Sequence, residues 1–158
     1  MKTFFISILF LLFINTSFSQ SKKDVKKHKI KASAVSVVEN GKTINESKTI
    51  FDANGNEIET TDYTKDGSIK AIHKIKYNKE GDEIEDEQYD ASNKLIEKKI
   101  TKYNLSNDKL EENYFDASGK LTKKHLYTYD SKGLKIERKT LDAEGKITSV
   151  KKYVYITK

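Results

Sequence analysis

The chain has 158 residues, 34% of them charged and 35% hydrophobic, with no Cys, Pro or Trp and a formal net charge of +6. The lack of cysteine excludes disulfides, thiolate metal sites and thiol nucleophiles, and the charged fraction limits how large a dry core the chain can bury. Thin, extended architectures are favoured over a thick globule.

Residues 1–19 read as a secretory signal peptide, because Lys2 is followed by an apolar run from Phe4 to Ile14 and then by small residues at Ser17 and Ser19. Cleavage is expected after Ser19. The run is too short to span a hydrocarbon core of about 30 Å. No second apolar run follows, and Gln20 offers no thiol for lipid attachment. The expectation is an exported product, periplasmic, surface-bound or secreted, with no transmembrane segment in the mature chain. Residues 20–29 read as a basic linker, since six lysines between Lys22 and Lys31 stand against Asp24 and leave the rest of the chain near neutrality. So local a charge argues for a solvated tail and against a nucleic-acid partner.

Residues 30–158 carry an internal repeat, an aromatic or apolar residue four positions before Gly or Asn. The pairs are Val37/Gly41, Phe51/Gly55, Tyr63/Gly67, Tyr77/Gly81, Tyr89/Asn93, Tyr103/Asn107, Phe115/Gly119, Tyr129/Gly133 and Leu141/Gly145, with Tyr155 opening a further unit. Successive pairs are spaced alternately fourteen and twelve positions apart, which sets a repeat period of twenty-six. Segments such as Asp52-Ala53-Asn54-Gly55 have turn chemistry: the leading Asp bonds its own backbone two residues on, and Gly or Asn at the end tolerates positive φ. The stretches between are rich in Ile, Thr, Tyr and Val and read as strands. The fold class is therefore all-β: a tandem-repeat antiparallel meander of about ten strands forming one elongated twisted sheet, open or curled on itself.

Two apolar stripes follow, one along each row of turns. Phe51, Tyr77, Tyr103, Tyr129 and Tyr155 form the first, filled by Ile58, Ile84, Leu110 and Ile136; Tyr63, Tyr89, Phe115 and Leu141 form the second, with Ile69, Leu95, Leu121 and Ile147. Stripe residues are eight apart in long strands (Ile69 to Tyr77) but five apart in short ones (Ile58 to Tyr63), which predicts one β-bulge per repeat period to keep both stripes on one face. The apolar first and last strands suggest closure or edge-to-edge self-association.

The stretch Tyr127-Thr128-Tyr129-Asp130-Ser131-Lys132-Gly133-Leu134 resembles the YD repeats of the Rhs and wall-associated protein families, with weaker copies at Tyr77-Asn78 to Gly81, Tyr89-Asp90 and Phe115-Asp116 to Leu121. The resemblance implies an exported β-structure, in some members linked to carbohydrate binding or toxin encapsulation. A second resemblance is to short MORN-like β-hairpin repeats of small bacterial proteins. The Lys/Asn/Ile-rich composition and the Ser17-Phe18-Ser19-Gln20 signal end resemble exported proteins of the Gram-negative Bacteroidota.

No catalytic constellation is expected. His73 and His125 lie two full periods apart, at equivalent positions too distant to share a metal. The acidic clusters at Asp82, Glu83, Glu85, Asp86 and Glu87 and at Asp108, Glu111 and Glu112 read as solvated faces opposite lysines, not as a glycosidase pair. Asp52 to Asn56 lacks the distal Glu of a calcium loop. No cofactor or metal is called for. The binding candidates are the aromatic row Phe51, Tyr77, Tyr103, Tyr129 and Tyr155, backed by Tyr127 and Tyr153, because flat rings with polar tips stack on sugars or apolar partner surfaces. The functional expectation is a non-enzymatic exported protein binding a carbohydrate or protein of the cell envelope; the alternative is a self-assembling scaffold.

Overall fold

The computed structural model describes residues 21–156; the expected signal peptide, its cleavage point and Gln20 lie outside them. One helix precedes the strands: α1 (Lys22–His28). Ten strands follow in sequence, β1 (Ala32–Glu39), β2 (Lys42–Phe51), β3 (Glu57–Tyr63), β4 (Ile69–Tyr77), β5 (Glu83–Tyr89), β6 (Leu95–Tyr103), β7 (Lys109–Asp116), β8 (Leu121–Tyr129), β9 (Lys135–Asp142) and β10 (Ile147–Lys152). They pair in chain order as one antiparallel sheet with β1 and β10 at its edges. The sheet is open, and its terminal strands do not close on each other. At about 4.8 Å between neighbours it is roughly 43 Å wide.

The repeat builds the turns. In the loop after β2, the Gly55 N–H donates to Asp52 C=O (3.1 Å) and the Asp52 N–H to Asn56 C=O (2.9 Å), while Asp52 Oδ1 accepts from the Asn54 and Asn56 N–H groups (2.8 Å each). This is a type I turn followed by a left-handed residue. The same backbone pair of bonds recurs in the seven later loops. Where Gly is absent, Asn93 and Asn107 take the left-handed position, each at φ 60°. The first hairpin departs from the expected series: Glu39 faces Lys42 across Asn40 and Gly41, both at positive φ, so Val37 is not the first member of the repeat but lies within a two-residue type I′ hairpin.

Bulges are twice as frequent as the sequence spacing predicts. Phe51 faces Glu57 and Ile50 faces Glu59, which leaves Ile58 unpaired. Equivalent shifts leave Lys70, Ile84, Ile96, Leu110, Thr122, Ile136 and Thr148 unpaired, one after every loop from β2 onward. Each shift reverses the alternation of side chains once per strand. The bulge at Lys70 therefore parts Ile69, which stays with its partner Tyr63, from His73, Ile75 and Tyr77. The two stripes consequently lie on opposite faces, and the single-faced core expected from the sequence is not formed. The face bearing Tyr77, Tyr103 and Tyr129 is termed the front, and that bearing Tyr63, Tyr89 and Phe115 the back.

A two-faced single layer buries little. The buried apolar residues among those described are Val25, Phe51 and Ala71, joined by the polar Asn56, Thr61, Thr101, Glu112, Asn113 and His125. The basic segment expected to be a linker is instead helical and docked. Ser21 caps it through Asp24, Lys29 ends it in a left-handed conformation, and Val25 is 1% exposed. The helix rests on the loop after β2, where a Cβ at Gly55 would lie 2.6 Å from Lys22 C=O and 3.3 Å from Lys26 N. A single apolar residue on a lysine-rich stretch gives no amphipathic signal, which is why charge alone reads as a tail.

Candidate functional site

Tyr77, Tyr103 and Tyr129 each end a strand at the rim of turns holding Gly55, Gly81, Asn107 and Gly133, and Tyr155 lies three residues beyond the end of β10. The Tyr77 hydroxyl donates to Glu57 C=O (2.9 Å), Tyr103 to Glu83 C=O (2.9 Å), Tyr129 to Lys109 C=O (2.9 Å) and Tyr155 to Lys135 C=O (2.8 Å). Every acceptor immediately precedes an unpaired bulge residue, so the hydroxyls satisfy carbonyls at sites where the ladder is broken. Burial, then the nearby Glu83 and Glu57, push the Tyr77 hydroxyl up to about 12. Tyr77, Tyr103 and Tyr129 are half-buried, and Tyr155 is 49% exposed. Phe51, which opens the row without a hydroxyl, is buried. Members two strands apart are about 9.6 Å apart.

The backing residues behave differently. Tyr127 donates to the Glu112 carboxylate (2.5 Å), which also accepts from Lys109 (2.6 Å) and Tyr114 (3.3 Å). Burial opposes the charge on Glu112, but the bonds from Lys109 and Tyr127 outweigh it and hold the carboxyl below its ordinary value. His125 contacts Thr140 at 3.1 Å and lies edge-on to Tyr114 and Tyr127, at 5.2 and 6.4 Å between centroids. Burial, and then the positive Arg138, lower its pKa. Tyr153 is half-buried beside Lys135 and Lys151.

The acidic clusters meet lysines of adjacent strands. On the front face Lys99 bridges Glu83 (2.6 Å) and Asp86 (3.2 Å); on the back Lys98 bridges Glu85 (2.6 Å) and Glu87 (3.2 Å), and Lys102 meets Glu111 (3.2 Å). Basic and acidic strands thus alternate through β4 to β7, and cross-strand pairing neutralises both. His73 contacts Asp86 at 3.3 Å and stands four strands from His125. Among the described residues no group of three or more His, Asp or Glu is placed to hold a metal ion, and no helix is long and apolar enough to cross a membrane. One open depression of about 420 Å³ lies over Leu95, Ile100 and Phe115 on the back face, bordered by Lys98 and the loop from Asp116 to Gly119. The meeting of Tyr127 with Glu112 escaped sequence reasoning because residues fifteen positions apart on adjacent strands meet only through strand register.

No protein-family model matches the chain, and no curated protein matches it. Among solved structures, a protein of unknown function from Bacteroides fragilis NCTC 9343 is similar at 12% identity and a TM-score of 0.46, over 80% of this chain and 96% of that one. TarM is similar at 22% identity and a TM-score of 0.29, over 84% of this chain and 24% of its own. The GtfA/B complex bound to UDP and GlcNAc gives 14% identity and a TM-score of 0.29, over 68% of this chain. The chain spans about a quarter of TarM's length and 22% of the GtfA/B chain. These likenesses carry no argument about activity.

Proposed function

We propose that this protein is an exported, non-enzymatic repeat sheet that binds a polymer or protein partner of the cell envelope through its front face. The observation that carries the reading is the tyrosine row. Tyr77, Tyr103 and Tyr129 recur once per repeat period in one arrangement, each fixed by its hydroxyl to a bulge carbonyl and each only half-buried. Rings fixed in this way lose little conformational freedom on binding, so their exposed flanks form a rigid ladder suited to an extended ligand. The test is acrylamide quenching of tyrosine fluorescence in the purified protein, followed by titration with envelope polysaccharides, peptidoglycan and secreted proteins. Quenching relieved by one of these supports the reading; indifference to all of them sinks it.

A second reading, a self-assembling scaffold, is favoured by the open sheet edges. Val35 and Val38 on β1 and Ile147 and Val150 on β10 are 41%, 68%, 50% and 46% exposed, and each edge presents unpaired backbone groups. With an even number of strands, β10 of one copy lies antiparallel to β1 of the next, as every internal pair does. Sedimentation at rising concentration decides this: Val150→Lys abolishes association if the edges mediate it, and a monomer at every concentration removes the scaffold reading.

A further inference from the structure

Overall neutrality beyond the basic N-terminal segment conceals a segregation of charge along the sheet. Residues 83–116, which contain β5 to β7, carry ten Asp or Glu and five Lys, whereas residues 117–156, which contain β8 to β10, carry four Asp or Glu and ten Lys or Arg. Of the four acids of the basic end, Asp130 and Asp142 accept loop N–H bonds, Asp142 facing Lys123 in the register at one margin of the front face, Glu137 pairs with Lys139 (3.1 Å) on the back face, and Glu144 lies in the last turn. The remaining ion pair of these strands, Lys124 with Glu111 (3.7 Å), is also on the back.

The front face of β8 to β10 is left with cations that meet no carboxylate among the described residues. Lys123 lies over the Tyr114 ring at 3.9 Å, Lys135 lies between Tyr127 and Tyr153 at 5.0 and 5.5 Å, and Lys151 lies over Tyr153 at 5.4 Å. Arg138 stands between Tyr127 and Lys151 in the register and has no hydrogen-bond partner at Nε. Ring faces hold these cations without neutralising them. At strand spacings of about 4.8 Å and rises of about 3.3 Å per residue, the four charges cover an area of roughly 10 by 20 Å. Thr140 and Ser149, paired across β9 and β10, add hydroxyls between them.

We infer that this surface binds an acidic polysaccharide, with Lys123, Lys135, Arg138 and Lys151 meeting its anionic groups. The inference rests on the polymer-binding reading above and assigns it a ligand charge and a place. A flat, open face with hydroxyls between separated cations suits a chain of charged sugars. Single-stranded nucleic acid requires free ring faces on which bases stack, and here lysines cover the rings.

The probes are fluorescent polygalacturonate and dextran sulfate, which separate carboxylate from sulfate recognition, with neutral dextran and a twenty-nucleotide oligothymidine for comparison. Anisotropy is read for the wild-type protein, for the triple variant Lys135→Gln, Arg138→Gln, Lys151→Gln, and for a control, Lys23→Gln, Lys27→Gln, Lys79→Gln, which removes the same charge from exposed positions elsewhere. Circular dichroism establishes that each variant is folded. The expected result is salt-sensitive binding of one acidic glycan that the first triple variant weakens about tenfold or more and the control by less than about twofold. Equal losses in both variants, equal binding of the oligonucleotide, or no binding of either acidic probe overturns the assignment. Because the polymer-binding reading is tested on whole envelope material, retention there that the first triple variant leaves intact preserves that reading while removing this surface.

Discussion

The docked helix provides a controlled comparison between two glycines that close turns of the same type. Gly55 and Gly119 close equivalent turns at φ 81° and 82°, but a Cβ at Gly119 meets nothing within 4 Å, whereas at Gly55 it meets Lys22 C=O at 2.6 Å and Lys26 N at 3.3 Å. Gly119→Ala therefore costs only the left-handed strain of an L residue, about 1–2 kcal/mol. Gly55→Ala bears that strain and in addition collides with backbone, which cannot swing aside as a side-chain tip can. The helix must lift, and Val25, 1% exposed, loses burial worth about 1.5–3 kcal/mol. Undocking caps the extra cost, so the expected total is about 2.5–5 kcal/mol against about 1–2. Urea unfolding measures the global difference, and hydrogen exchange of the Val25 and Ile30 amides, which bond Ser21 and Val25 carbonyls, reports the helix directly. Equal destabilisation by the two substitutions, with unchanged helix protection in both, would refute the docking argument.

Tyr129→Phe removes the donor to Lys109 C=O and is expected to cost about 1 kcal/mol in urea unfolding; no loss would mean that water satisfies the bulge carbonyl as well as the hydroxyl does. Glu112→Leu strips the shared acceptor from Lys109, Tyr114 and Tyr127 and is expected to cost about 2 kcal/mol, while Glu112→Gln, which keeps an acceptor oxygen, costs less. For His125, whose folded pKa lies below the ordinary value of 6.5, the unfolded chain takes up the proton more readily. Its contribution is present above that value and is lost as pH falls through the folded pKa. Stability measured between pH 7 and 5 should therefore fall more steeply in the wild-type protein than in His125→Gln, and parallel curves would contradict the assignment.

Much of the architecture is local information. Asp or its equivalent at the head and Gly or Asn at the end of each turn segment dictate the same turn eight times, and turns at alternating intervals of twelve and fourteen positions leave only strands long enough to pair with their neighbours. The strand count, the chain-order antiparallel pairing and the membership of the tyrosine row were legible for that reason. Which face each stripe occupies was not, because a bulge depends on how two strands engage: Ile58 and Lys70 look alike in the sequence to any residue that simply follows a turn, and only pairing leaves them unmatched. Tertiary structure also decided the helix, since Val25 is a lone apolar residue until the Gly55 turn offers it a surface. It likewise decided the fate of the charges. Among the described residues Lys99 meets Glu83 and Asp86 while Arg138 meets no carboxylate, because register brings acidic β5 beside basic β6 but sets Arg138 of β9 opposite Lys151 of β10.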